Sequence, residues 1–151
     1  AAGVSPDQAR AFCGKLTEIC RSAGVISSTE FFAVPSVDQW LRAARGAGGR
    51  TYPWGDEWDA MKAACSERGD FNPLTTGAIP ENATPEGVLD LAGNVAEWAE
   101  FPAGDVRKTV ALGGSFRDDR TRLETTAVRV ADRPANDIGL RIVLADPADG
   151  E

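Results

Sequence analysis

In the stretch LDLAGNVAEW, Leu89 to Trp98, three oxygen-bearing side chains stand among small and apolar residues: Asp90, Asn94 and Glu97. Oxygen donors placed this way do one of two things in a protein interior. They hold an ion. Or they accept hydrogen bonds from backbone N–H groups that would otherwise be buried unpaired. The sequence leaves both open. Other chemistry is restricted. The chain has no histidine, the commonest general base and metal ligand. Its three cysteines are Cys13, Cys20 and Cys65. No Ser-His-Asp or Cys-His set can be assembled from these residues. The adjacent acids Asp118 and Asp119 read as solvated or ligand-contacting groups rather than an acid–base pair.

The elements that must position these residues are legible in part. In SPDQARAFCGKLTEICRSAG, Ser5 is a candidate N-cap, Pro6 fits the first turn and Gln8 completes a capping box. Ala9, Phe12, Cys13, Leu16, Ile19 and Cys20 fall on one helical face, and Gly24 marks the stop. SVDQWLRAARG repeats the device, with Ser36 and Gln39 as the box, Gly46 as the stop, and Trp40, Leu41 and Ala44 facing inward. Beyond Gly46, glycine and proline become frequent and helical periodicity ends. TYPWGDEW reads as a compact turn, and Cys65 to Glu86 as mostly loop. Short strands are expected at Val95–Ala99, Val110–Gly113, Ala127–Val130 and Leu140–Leu144. Two early helices, short strands and much irregular structure make this an α+β domain. We expect it to occupy residues 1–145, with a frayed tail at 146–151.

The net charge of −7 argues against nonspecific binding to nucleic acid or to an anionic membrane surface. No apolar run is long enough to span a bilayer. Cys13 and Cys20, two turns apart on one helix, are too distant to bridge. An odd cysteine count with no disulfide framework points to a reducing, cytoplasmic setting. Five arginines, Arg117, Arg120, Arg122, Arg129 and Arg133, make the later chain locally basic.

Five blocks in order resemble the formylglycine-generating-enzyme/sulfatase-modifying-factor family, whose fold is C-type-lectin-like. They are VSPDQARAFCGKL, FFAVPSVDQWLRAARG, YPWGDE, GVLDLAGNVAEW, and LGGSF followed by RVADR and IGLRIVLA. Ala33, Ser36 and Ala96 depart from the family pattern; Ala96 stands where a tryptophan is usual. The resemblance implies a structural calcium ion held by the side chains of Asp90 and Glu97 and the carbonyls of Gly93 and Val95. A second family calcium site needs an Asn where Ala64 stands, so it is not carried over.

The resemblance also implies what is missing. The family's oxidases bind copper through two cysteines shortly after the GGSF block; here Asp118 and Leu123 stand at about those positions. A sister group holds iron through a histidine cluster, and this chain has no histidine. Neither copper nor iron is expected, and no enzymatic activity. What remains is a binding module. In members of this fold diversified by retroelements, the positions after the GGSF block, those within R-x-A-x-R and the loop before the closing block vary. Carried over, the ligand-binding set is Phe116, Arg117, Asp118, Asp119, Val130, Asp132, Asn136 and Asp137. Gly113, Gly114, Arg129, Arg133 and Arg141 would be scaffold. The expected partner is a protein. The alternatives are an accessory domain of a larger bacterial signalling protein and a diverged enzyme of this family.

Overall fold

The computed structural model describes residues 2–103 and 106–147. Of the tail expected at 146–151, residues 148–151 lie outside the described residues. Asp146 lies within them and accepts a hydrogen bond from Thr29 at 2.8 Å.

Both expected helices form, and both start as their capping residues dictate. Helix α1 spans Pro6–Ser22 and α2 spans Val37–Arg45. In each, the cap serine accepts from the N3 backbone while the N3 glutamine accepts from the serine's own N–H. Each N-cap of this type contributes roughly 1 kcal/mol. Helix α1 ends at Ser22, followed by Gly24 at φ 68°.

The buried face of α1 differs from the one its periodicity suggests. Pro6, Ala9, Cys13 and Thr17 are buried, whereas Phe12 and Ile19 are 53% and 55% exposed. Small residues let the helix lie close to the sheet, and Thr17 adds a bond that a larger apolar residue could not. Its hydroxyl donates to Cys13 O and accepts from Phe32 N at 2.8 Å. That hydroxyl anchors strand β1, Phe31–Ala33, for which the sequence showed no strand signal.

The remaining strands are β2 (Ala96–Ala103), β3 (Val106–Leu112), β4 (Val128–Arg129), β5 (Ile138–Gly139) and β6 (Val143–Ala145). A short helix, α3, covers Arg120–Leu123. One sheet has the order β4-β3-β2-β5, with β2 antiparallel to β3 and parallel to β5; β1 and β6 pair separately. The strand expected over Leu140–Leu144 is interrupted. Pairing stops at Gly139 and resumes at Val143, because Arg141 turns inward between them.

Strand β2 is buried on both faces over its first five residues. Ala96 and Trp98 pack with α1 residues Ala9 and Cys13, and with Ala111 and Ile138. Ala99 packs on the opposite face with Trp40 and Ala44 of α2, and with Leu112. The alternation along β2 therefore sends Glu97, between Ala96 and Trp98, to the α2 side. Among the described residues, no helix is long and apolar enough to cross a membrane.

Candidate functional site

The loop LAGN, residues 91–94, is held where two backbones meet. Gly93 and Asn94 adopt φ 76° and 61°, and Asp90 adopts φ 59°. The Gly93 N–H donates to Gly113 O, and the Asn94 N–H to Ala64 O. A Cβ on Gly93 would stand 2.3 Å from Ala64 O, so no other residue fits there. Asn94 closes the loop with its side chain. Its Oδ1 accepts from Leu74 N at 3.0 Å and its Nδ2 donates to Leu74 O at 3.3 Å. For Asn94, then, the partner is the chain's own backbone.

Asp90 and Glu97 face one pocket of about 240 Å³, which Asn94, Val95 and Arg141 also line. Asp90 Oδ2 accepts from Gly77 N at 2.7 Å. Glu97 is buried, and its partner is a side chain rather than backbone. Arg141 donates from Nε to Oε2 at 2.7 Å and from Nη2 to Oε1 at 2.8 Å. Trp40 Nε1 adds a third bond, to Oε2, at 2.8 Å. Burial pushes the Glu97 carboxyl up; the charge and hydrogen bonds of Arg141, then Trp40, oppose it. Arg141 also donates to Leu89 O at 2.7 Å, so one guanidinium ties the closing block to both ends of the opening stretch. Arg141 was legible as scaffold, but its pairing with Glu97 was not: the two are 44 residues apart. Gly93 is not among the residues lining the pocket.

Residues 116–137 divide into anchors and free side chains. Phe116 is buried, and its N–H donates to Asn94 O. Asp118 folds back on its own turn, with Oδ2 accepting from Ser115 N at 2.9 Å and Ser115 Oγ at 2.7 Å. Asp119 caps α3 through Thr121 N. Asp137 is buried and pairs with Arg129 at 2.8 Å, as expected of a scaffold arginine. Arg133, expected to be scaffold, instead stands in solvent beside Asp132 at 3.8 Å. Arg117, Val130, Asp132 and Asn136 are exposed. The eight expected ligand-binding residues are thus placed along one segment, but Phe116, Asp118 and Asp137 are committed to holding it together.

Two of the thiols, Cys13 and Cys65, are held in their neutral form by burial. Cys13, Cys20 and Cys65 are free, and burial pushes Cys13 and Cys65 up, away from the thiolate that a soft metal or a nucleophile requires. An aromatic cluster of Tyr52, Trp54 and Trp58 is packed. Tyr52 is buried and stacks on Trp54 at 5.4 Å, with Trp58 tilted against both. Trp54 and Trp58 are half-buried over Ala63, Cys65, Ala92 and Leu123. Trp40 faces inward as expected, and both Trp40 and Trp98 are fully buried core anchors.

Residues 1–146 match the family described as the sulfatase-modifying factor enzyme 1-like domain. The chain belongs to that family. Among curated relatives, the inactive C-alpha-formylglycine-generating enzyme 2 of Bos taurus is 30% identical over 127 residues, covering 72% of this chain and 42% of the relative. Its Mus musculus counterpart is 32% identical over 129 residues, with coverage of 72% and 41%. The chain therefore spans less than half the length of these relatives. Among solved structures, Treponema denticola variable protein 1 superposes with a TM-score of 0.80 at 18% identity, over 97% of this chain and 71% of that one. PvdO from Pseudomonas aeruginosa superposes at 0.73 and 17% identity, over 94% and 60%. These likenesses establish the C-type-lectin-like fold of the family for this chain.

Proposed function

We propose that this domain is noncatalytic and binds a protein ligand through the exposed side chains of residues 116–137. The observation that carries the reading is the division of that segment into buried anchors and solvent-facing side chains. Phe116, Leu123, Thr125 and Asp137 are buried, while Arg117, Val130, Asp132 and Asn136 between them face solvent, Arg117 lying over the Phe116 ring and Asp132 beside Arg133. Such a surface keeps its backbone while its side chains change. The residue chemistry supports the same reading: no cysteine follows Cys65 and no histidine is present, so the segment offers no soft or imidazole ligand for a redox metal. The fold shared with the Treponema variable protein supports a further step, that this is a variable protein diversified by a retroelement. Three free cysteines favour a cytoplasmic location.

Sequencing the locus and its flanks across isolates tests the proposal. We expect substitutions concentrated in codons 116–137 and a near-copy of that segment beside a reverse transcriptase. A uniform segment with no such copy overturns diversification. Stoichiometric copper or iron in the purified protein overturns the noncatalytic reading in favour of a diverged enzyme.

A calcium ion at Asp90 and Glu97 belongs to the same proposal, as a stabiliser of the scaffold. The donors are all oxygen, which suits calcium. Among the described residues Asp90 Oδ1 takes no hydrogen bond and Glu97 Oε1 takes one, so each keeps a lone pair for an ion. Val95 lines the same pocket. Arg141 sets a positive charge against Glu97, which makes the site weak, with a dissociation constant on the order of 10⁻⁴–10⁻³ M.

A further inference from the structure

A second pocket, of about 170 Å³, opens within the proposed binding segment. It exists because its floor is built from small residues. Ala96 and Ala111 lie on the central strands β2 and β3, both buried, and Ala127 closes one side. The wall opposite is fixed. A Cβ on Gly114 would stand 2.7 Å from Arg122 O, so the α3 turn rests directly on backbone. The volume is below the roughly 300–1,000 Å³ of pockets that take drug-sized ligands. It suits a single aliphatic side chain.

The polar groups at its edge are unequal. Arg129 is occupied by Asp137 at 2.8 Å. Asp118 Oδ2 is occupied by Ser115, and its Oδ1 takes no bond among the described residues. Arg122 also lines the pocket, is exposed, and has no ion pair or side-chain hydrogen bond among the described residues. Val130, 89% exposed, follows directly on strand β4. A guanidinium without an ion pair beside a small slot lined by alanines and Val128 selects for an apolar group next to a carboxylate, because Arg pairs with carboxylate in charge-assisted, often bidentate bonds. Buried anchor pockets of this kind dominate protein–protein affinity.

We infer that this pocket anchors the protein partner by one aliphatic side chain seated against Ala127 and Val128, above the buried Ala96 and Ala111, with an adjacent carboxylate held by Arg122. The inference rests on the binding reading above and names the partner chemistry for that face.

N-acetyl-leucine and N-acetyl-leucinamide are a matched pair of probes, differing only in the carboxylate. In NMR titrations of the protein, N-acetyl-leucine should shift the amides of Ala111, Ala127 and Val128 and saturate. The amide should bind about two- to fivefold more weakly, the loss expected when a solvent-exposed charge pair is removed. Arg122→Gln, at an exposed position, should erase that preference. Ala127→Phe, at a half-buried edge, should abolish binding while leaving distant resonances in place. Absence of any shift, equal binding of acid and amide, or binding that survives Ala127→Phe overturns the inference; should Ala127→Phe fail to fold, the Arg122→Gln comparison decides. Failure here, with diversified codons at Val130, Asp132 and Asn136, removes the pocket and leaves the binding face standing. Uniform codons with an intact acid preference remove diversification and leave both the binding face and its pocket standing.

Discussion

Arg141 grips both carboxylate oxygens of Glu97 from 44 residues away, at 2.7 and 2.8 Å. This pair joins the closing segment to strand β2 beneath α2. Removing one partner of a buried pair costs about 3–5 kcal/mol, because the other charge is left uncompensated. Arg141→Met should therefore lower the melting temperature by on the order of 10 °C. Glu97→Gln in the same chain should recover part of that loss, since the amide no longer needs a cation. Urea denaturation of the two single variants and the double variant measures the coupling. Additive losses would mean that the pair does not form in solution.

Calcium should act on the same corner of the fold. An ion bound only by the folded protein raises stability by mass action. We expect the melting temperature to rise with calcium only as the concentration approaches the millimolar range, and Asp90→Ala to remove the response. Arg141→Met, though less stable at baseline, should respond at lower calcium, because the competing charge is gone. A parent protein indifferent to both calcium and chelator sinks the site.

The binding segment makes a separable prediction. Arg117→Ala, Val130→Ala and Asp132→Ala touch exposed side chains and should change stability by no more than about 0.5 kcal/mol. Asp137→Ala leaves Arg129 without its buried partner and should cost several times that. Asp118→Ala frees Ser115 N and Oγ and should also destabilise, by roughly 1–3 kcal/mol. Thermal melts of the five variants sort anchors from contacts. Equal losses at Asp132 and Asp137 would mean that the whole segment is scaffold.

How much of this was legible beforehand follows from how local each signal is. The two helices were readable because Ser5/Gln8 and Ser36/Gln39 carry their start signals within four residues. The positive φ at Gly93 was not readable, because its cause is the carbonyl of Ala64 across the chain. Phe12 and Ile19 were placed on the buried face because periodicity weighs hydrophobicity alone. It does not register that Thr17 is needed there to bond Phe32 N. At the candidate site, spacing brought Asp90, Asn94 and Glu97 together, and family resemblance marked out residues 116–137. Neither could reveal that Asp118 and Asp137 are spent on local and cross-loop bonds, or that Ala96, Ala111 and Ala127 leave a slot. Those facts depend on contacts between distant elements. A scatter of alanines in the sequence looks the same whether its volume is filled or empty.

Acid should weaken the fold through its surface carboxylates. Hydrogen bonds from Arg50 at 3.1 and 2.8 Å hold Glu86 well below its ordinary value of 4.5, at about 2. Glu67 is likewise lowered, chiefly by side-chain and backbone hydrogen bonds from Arg120. A carboxyl whose folded pKa lies below its unfolded one adds stability above the unfolded value and loses it as pH falls through the folded one. For Glu86 that window runs from 4.5 down to about 2. Both groups are solvent-accessible, so the effect is screened and should shrink in about 1 M salt, where the Debye length is about 3 Å. We expect urea midpoints at low salt to fall across that window, and Glu86→Gln to flatten the fall without altering stability at neutral pH by more than a surface pair is worth. A Glu86→Gln profile parallel to the parent's would show that Arg50 is not holding Glu86 in solution, and that the loop bearing it leans on α2 by packing alone.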